Sequence, residues 1–260
     1  TEAVAALETI AWSLLAHFGR VDPGRQIDTP TRLVLETDVP KPHYNTVFLF
    51  YDEGDLIIEA QVHELLERFE RRACTPAWLV HPTTPIGVRE SLDAHGWVCA
   101  ETMPGMIHTL DDLPPMPDVP SDIDVVEAGV GHGAAWLDLV STRYGLDEDD
   151  SPYLRQVFDR FIGTGVRVWI ASLDGVPVSK VGIHMSNDVA GIYGVATTEP
   201  GRGKGLASLL TGIALHATAN AGFRASVLHS TPMAHSMYQR LGYRDVATFE
   251  LWARPDEVHL

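Results

Sequence analysis

The sequence predicts a mixed α/β protein made of two halves. Three observations predict it. Strand-like and helix-like runs alternate along the chain. A ten-residue stretch, Asp111-Asp-Leu-Pro-Pro-Met-Pro-Asp-Val-Pro120, holds four prolines and three acids and reads as an extended, semi-rigid spacer. Beyond it, a run of strands empties into a glycine-rich loop followed by a helix. At 260 residues and 45% hydrophobic, the chain can bury a core without disulfides or metal. The halves are expected at 1–110 and 122–260, joined by 111–121.

In the first half, Val4 to Phe18 has the periodicity of an amphipathic helix. Asn45 to Tyr51 reads as a strand, Leu56 to Arg72 as a helix and Ala77 to His81 as a strand. Ile86 to His95 is a helix and Cys99 to Leu110 a strand. The second half opens with a strand at Ile123 to Ala128. Helices follow at Gly133 to Tyr144 and at Ser151 to Phe161, the latter with Ser151 as N-cap and Pro152 at the first helical position. Val166 to Leu173 and Val176 to Met185 are strands joined by the hairpin signal Asp174-Gly175. Ser186-Asn-Asp188 turns the chain into a strand at Ala190 to Thr197. A helix at Gly205 to Ala221, a strand at Ala225 to His229, a helix at Pro232 to Leu241 stopped by Gly242, and a strand at Ala247 to Trp252 complete the order. The halves echo one another. Trp78-Leu-Val-His81, Pro85, Leu92 and Gly96-Trp97 parallel Val227-Leu-His229, Pro232, Tyr238 and Gly242-Tyr243, which points to an internal duplication.

Composition narrows the function. The net charge is −16, with 19 acids and 8 bases in residues 1–121 against 16 and 11 in the remainder. No basic face is available for nucleic acid, so no nucleic-acid partner is expected. A cationic substrate would suit the charge, though a merely soluble acidic surface is the plainer explanation. The best apolar stretch, Thr9 to Phe18, is too short to span a membrane and carries His17. The chain opens on Thr1-Glu2 with no basic leader region, so no membrane partner and a cytoplasmic location are expected. Cys74 and Cys99 form no framework, and neither CxxC nor H-E-x-x-H occurs, so no metal is expected.

Lysine is rare: Lys41, Lys180 and Lys204 are the three in the chain. Lys204 lies in Thr198-Glu-Pro-Gly201-Arg-Gly203-Lys-Gly205-Leu-Ala207. Such a loop leaves backbone N–H groups open at a helix N-terminus, where the helix dipole favours an anion, and glycine lets successive amides turn toward it. The P-loop pattern fails because Gly205 follows Lys204 where Ser or Thr is needed. The G-x-G-x-x-G dinucleotide pattern fails because the third glycine comes one residue early.

Arg202-Gly-Lys-Gly205-Leu-Ala207 resembles the R/Q-x-x-G-x-G/A acetyl-CoA signature of the GNAT superfamily of N-acetyltransferases. Thr231-Pro-Met-Ala234-His-Ser-Met-Tyr238-Gln-Arg-Leu-Gly242-Tyr243 is similar to that family's later N-x-x-A-x-x-L-Y-x-x-x-G-F segment, with Thr231 in place of Asn and Met237 in place of Leu. The element order of residues 122–260 also looks like that fold. The resemblance implies two GNAT-like domains in tandem. The first, 1–110, would be degenerate and lack a cofactor loop, because Asp52-Glu-Gly-Asp55 would repel a pyrophosphate. One acetyl-CoA per chain is then expected, as co-substrate, and no metal. Arg202, Gly203, Lys204, Gly205, Leu206 and Ala207 would cradle its pyrophosphate. Val195, Ala196 and Thr197 would pair with the pantetheine arm, and Thr231 would lie near it.

The resemblance implies Tyr238 as the acid that meets the leaving thiolate, with Leu92 unable to do so in the first half. His229 is the candidate base, with Tyr193 and His184 on neighbouring strands as others. Asp147-Glu-Asp-Asp150 and the aromatics Trp136, Tyr144, Tyr153 and Phe158 are candidates for an acceptor site. The expected partner is a small-molecule primary amine, acetylated by direct attack in a ternary complex. A peptide or protein acceptor and a non-catalytic acyl-CoA-binding module are the alternatives. For the first half, roles in fixing substrate, forming a homodimer or bracing the fold are all open.

Overall fold

The computed structural model describes residues 2–21, 26–29, 31–37, 39, 41–49, 55–139, 151–162 and 164–257. In chain order its first elements are α1 (Glu2–Val21), β1 (Gln26–Thr29), β2 (Arg32–Leu35), β3 (Thr46–Leu49), α2 (Asp55–Arg71), β4 (Ala77–Val80), α3 (Ile86–Ala94) and β5 (Val98–His108). Then come β6 (Ile123–Ala128), α4 (Gly133–Asp138), α5 (Ser151–Phe161), β7 (Val166–Leu173), β8 (Val176–Ser186) and β9 (Val189–Thr197). The last are α6 (Leu206–Asn220), β10 (Ala225–His229), α7 (His235–Arg240) and β11 (Arg244–Ala253). The hairpin β1–β2 was not expected from the sequence; its four-residue strands are too short for alternation to register. The expected helix from Gly133 is described only to Asp138, and the acids 147–150, Tyr144 and the loop residues 52–54 lie outside the described residues. No described helix is long and apolar enough to cross a membrane.

Two compact units form, and they do not divide at 111–121. One contains residues 1–14 and 104–246, the other 15–103 and 247–260. The physical reason is that α1, β5 and β11 each begin in one unit and end in the other. The proline-rich segment is likewise no free spacer. It lies on α6 within the first-named unit, where the His216 imidazole Nε2 hydrogen-bonds the Pro114 carbonyl at 2.8 Å. A Cβ on Gly212 would come 3.1 Å from the Pro117 ring, so glycine there lets the strap lie close.

That unit carries a sheet in the order β5-β10-β9-β8-β7-β6. One face packs on α6 and α7. Leu206, Leu209, Leu210, Ala214 and Leu215 of α6 meet Trp169, Val181, Ile183, Ile192 and Leu228 of the sheet. Each leucine so buried contributes about 1.5–3 kcal/mol, which fixes where the start of α6 stands. The other face is covered from α1 and α4. A Cβ on Gly191 would come 2.9 Å from Ile10, and the Ser13 hydroxyl lies 3.0 Å from His184 Nε2. The Asp174-Gly175 hairpin forms as expected, both residues having positive φ (51° and 76°).

The other unit pairs β1-β2-β3 antiparallel, β3 with β4 parallel, and β4 with the end of β11 antiparallel. Its core gathers Val62, Phe69, Trp78, Leu92 and Trp97. The echo between the halves extends to backbone detail. After α3, the Trp97 N–H donates to the Leu92 carbonyl at 2.9 Å with Gly96 at φ 77°. After α7, the Tyr243 N–H donates to the Tyr238 carbonyl at 3.1 Å with Gly242 at φ 93°. Both are Schellman-type stops, which require the left-handed conformation that glycine adopts freely.

Candidate active site

β9 and β10 run parallel and pair only at their beginnings: Ala225 with Val189, Ser226 with Ala190, Val227 with Gly191. The remainder of β9, Ile192–Thr197, has no strand partner on that side among the described residues, while its other edge stays bonded to β8. The two strands therefore splay apart, which exposes backbone groups of Val195, Ala196 and Thr197 to an added extended ligand. The register of β9 against β8 shifts between Lys180 and Gly182, a β-bulge centred on Gly194, whose φ is 60°. Bulges re-aim backbone groups, and they recur beside active sites. The Thr197 hydroxyl is engaged by Ser179 Oγ at 2.8 Å, and Ser179 also donates to the Ala196 carbonyl at 3.1 Å.

The glycine loop leaves β9 directly. Gly201 closes a short turn in which the Arg202 N–H donates to the Glu199 carbonyl at 3.1 Å, so the Arg202 amide is already satisfied. Gly203 and Gly205 have φ near 74° and 73°, and a Cβ at either would meet nothing within 4 Å. Conformation, not crowding, therefore demands glycine here. Gly205 caps α6 without any side-chain hydrogen bond, and no acid stands in the first turn. The starting N–H groups, through Leu206 and Ala207, have no intrahelical acceptor and point to an anion. Arg202 and Lys204 are exposed beside them. A groove of about 320 Å³ adjoins, lined by Lys204, Gly205, Ser208, Leu241, Pro117 and Asp118 among others. It places the loop next to the end of α7.

Tyr238 stands in α7, buried against Tyr243 (ring centroids 5.9 Å apart) and the sheet. Its hydroxyl makes no hydrogen bond among the described residues, and burial pushes its pKa up. It is therefore a protonated donor with capacity to spare. Tyr243, in contrast, is bonded to Ser226 Oγ at 2.7 Å. Thr231 heads the turn into α7, its carbonyl accepting from the Ala234 and His235 amides, both at 3.1 Å.

Residues 134–243 match the acetyltransferase (GNAT) family. They form a GNAT domain. A GCN5-related N-acetyltransferase from Kribbella flavida has the same fold at 19% identity, with a TM-score of 0.72 over 96% of this chain and 95% of that one. One from Sphaerobacter thermophilus, at 18% identity and TM-score 0.64, covers 86% and 76%. A tandem GNAT protein from the clavulanic acid biosynthesis pathway, at 16% identity and TM-score 0.62, covers 86% and 78%. The fold of the whole chain is thus of the tandem GNAT type. No curated protein sequence matches the chain.

Within the GNAT domain the candidate bases differ in environment. His229 ends β10, with the Tyr193 ring 6.1 Å from its own. Loss of hydration lowers its pKa from 6.5 to about 4, so it is neutral at pH 7 but a weak proton acceptor. The Tyr193 hydroxyl is buried, and burial raises its pKa well above 10. His184 is buried and held by Ser13. Trp136 and Phe158 are buried, their rings 6.0 Å apart, and so belong to the packing between α4 and α5.

Sequence reasoning followed Lys204 and passed over Lys180. Lys180 is fully buried on β8, opposite Ala196, with Nζ 3.0 Å from the centre of the Trp136 ring. The signal was present: a lone lysine in the apolar run Val176 to Met185, with Gly182 and Gly194 to make room. A Cβ on Gly182 would come 2.7 Å from Trp136, and one on Gly194 2.6 Å from Trp136 and 3.1 Å from Lys180 Nζ. Among the described residues no group of His, Cys, Asp and Glu is arranged to hold a metal.

Proposed function

We propose that the chain is an acetyl-CoA-dependent N-acetyltransferase that moves the acetyl group to a primary amine of a small molecule by direct attack in a ternary complex. The observation that carries this is the splay of β9 from β10 opening beside an uncapped α6 N-terminus. Acetyl-CoA supplies the activated acyl group as a thioester. The N–H groups from Gly203 to Ala207 would receive its pyrophosphate, each hydrogen bond to a charged partner contributing about 1.5–3 kcal/mol. The free edge of Val195–Thr197 would align the pantetheine arm, and N–H groups re-aimed by the Gly194 bulge would face the charge that develops on the acetyl oxygen. Tyr238 would donate to the departing sulfur. A Tyr hydroxyl near pKa 10 and a thiol near 8.5 differ by about 2 kcal/mol, so a strong hydrogen bond rather than full transfer is its part.

The amine must arrive neutral. Taking an alkylammonium of pKa about 10.4 to its neutral form at pH 7 costs roughly 4–5 kcal/mol. That cost falls to the site's proton acceptor. The acidic chain suits a cationic acceptor. One acetyl-CoA per chain follows if the first half lacks a working loop.

The test is thiol release from acetyl-CoA with panels of amino acids, amino sugars, polyamines and peptides. Release driven by small amines supports the proposal. Peptides as the sole productive acceptors would replace it with a peptide acetyltransferase. Acetyl-CoA binding with no amine-dependent release would leave a non-catalytic module.

A further inference from the structure

We propose that Lys180 Nζ is the proton acceptor that delivers the neutral acceptor amine, drawing the proton from the incoming ammonium at the Gly194 bulge; this rests on the acyl-transfer reading above. Its placement carries the inference. Lys180 has no exposed surface, and Nζ has no hydrogen-bond partner among the described residues. A buried ammonium without a counter-charge is expensive, so the amine rests in its neutral form, with its lone pair available. Nζ reaches the sheet at the one point where β9 has neither a side chain nor regular pairing: a Cβ on Gly194 would come 3.1 Å from it. The Trp136 face beneath Nζ can receive an N–H while the amine is neutral and steadies the cation once the proton arrives.

The surrounding groups leave the task to it. On β8 itself His184 is bonded to Ser13, and on β9 the Tyr193 hydroxyl keeps its proton. His229 on β10 is too weak a base, as shown above. On α4, Asp138 pairs with Arg155 of α5 at the surface, at 3.1 Å. On α1, Glu8 is buried but makes no hydrogen bond to Nζ. β7 presents Ile170 opposite Lys180. Burial alone, with no neighbouring charge, lowers the lysine's pKa well below its ordinary value and favours the neutral amine.

The protons balance. Nζ takes one from the substrate ammonium. The freed amine forms the C–N bond as the C–S bond breaks. The nitrogen's second proton offsets the thiolate charge, and Nζ returns its own proton to water before the next turnover.

Because the chain has three lysines, lysine labelled with carbon-13 at Cε gives three resolvable signals in the full-length protein, and Lys180→Met identifies one of them. The expected result is a Lys180 signal in the neutral state at pH 7 that shifts when acetyl-CoA is added. Lys180→Met should bind acetyl-CoA within about twofold of wild type. With an amine from the thiol-release panel its rate should fall at least 100-fold at pH 7 and recover about tenfold per pH unit as solution supplies the neutral amine. A Lys180 signal in the charged state at pH 7, or a Lys180→Met rate and pH profile equal to wild type, overturns the proposal. Wild-type protein that fails to bind acetyl-CoA would instead overturn the acyl-transfer reading, and this assignment with it.

Discussion

Replacing Gly194 by alanine tests the arrangement at the bulge in a way that separates backbone from packing. At φ 60° an L-residue costs about 1–2 kcal/mol relative to glycine. The added methyl would also stand 2.6 and 2.9 Å from two Trp136 ring carbons, where carbon atoms prefer about 3.5–4.0 Å. Trp136 is buried between Gly182, Gly194 and Phe158, so it cannot step aside freely, and overpacking adds about 1–3 kcal/mol. The sum is roughly 2–5 kcal/mol, or a fall in Tm of about 4–20 °C for a domain of this size. Gly175→Ala is the control: its φ is 76° but nothing lies within 4 Å of the new methyl, so only the backbone cost applies. Thermal unfolding followed by circular dichroism should rank Gly194→Ala well below Gly175→Ala. In a Trp136→Ala background the two should converge, a coupling of about 1–3 kcal/mol. Equal losses in both backgrounds would refute the packing of Trp136 on the bulge.

Tyr238→Phe should lower kcat about 10–150-fold, the loss of one hydrogen bond to a developing thiolate, while acetyl-CoA affinity by titration calorimetry stays within about twofold. His229→Gln should flatten part of the pH dependence of stability. The His229 pKa falls from 6.5 unfolded to about 4 folded, so its contribution, up to about 3 kcal/mol, is complete above pH 6.5 and is lost as pH drops toward 4. Denaturant midpoints of wild type and variant across that window show whether the slopes differ. Lys204→Ala should weaken acetyl-CoA binding only about two- to fivefold, and less at high salt, because an exposed cation near an anion is worth about 0.3–1 kcal/mol.

The parts of the fold set by local chemistry were legible in the sequence. Ile123–Ala128, Ser151–Phe161, Val166–Leu173 and Ala225–His229 were expected with the boundaries they have, because alternation, helical periodicity and an Asp-Gly turn are all local. The loop at Gly201–Gly205 was legible for the same reason: Gly203 and Gly205 mark positive φ directly. What depends on distant partners was not. The exchange of 1–14 and 247–260 between units is decided by which sheet α1 and β11 find, and no local pattern encodes that. The Gly194 bulge is a register shift against β8, and the burial of Lys180 depends on Trp136, 44 positions earlier, lying on two glycines. A lysine in a strand usually reads as a surface residue; here the glycines opposite it were the signal.

The most direct test is calorimetric titration of the full chain with acetyl-CoA, with a variant carrying Gly203→Val and Gly205→Val alongside. Both substitutions sit at positive φ, so a β-branched residue cannot hold the loop that presents the α6 amides. The account predicts one site per chain for the native protein and no measurable site for the variant. Two sites per chain, or undiminished binding by the variant, would contradict it.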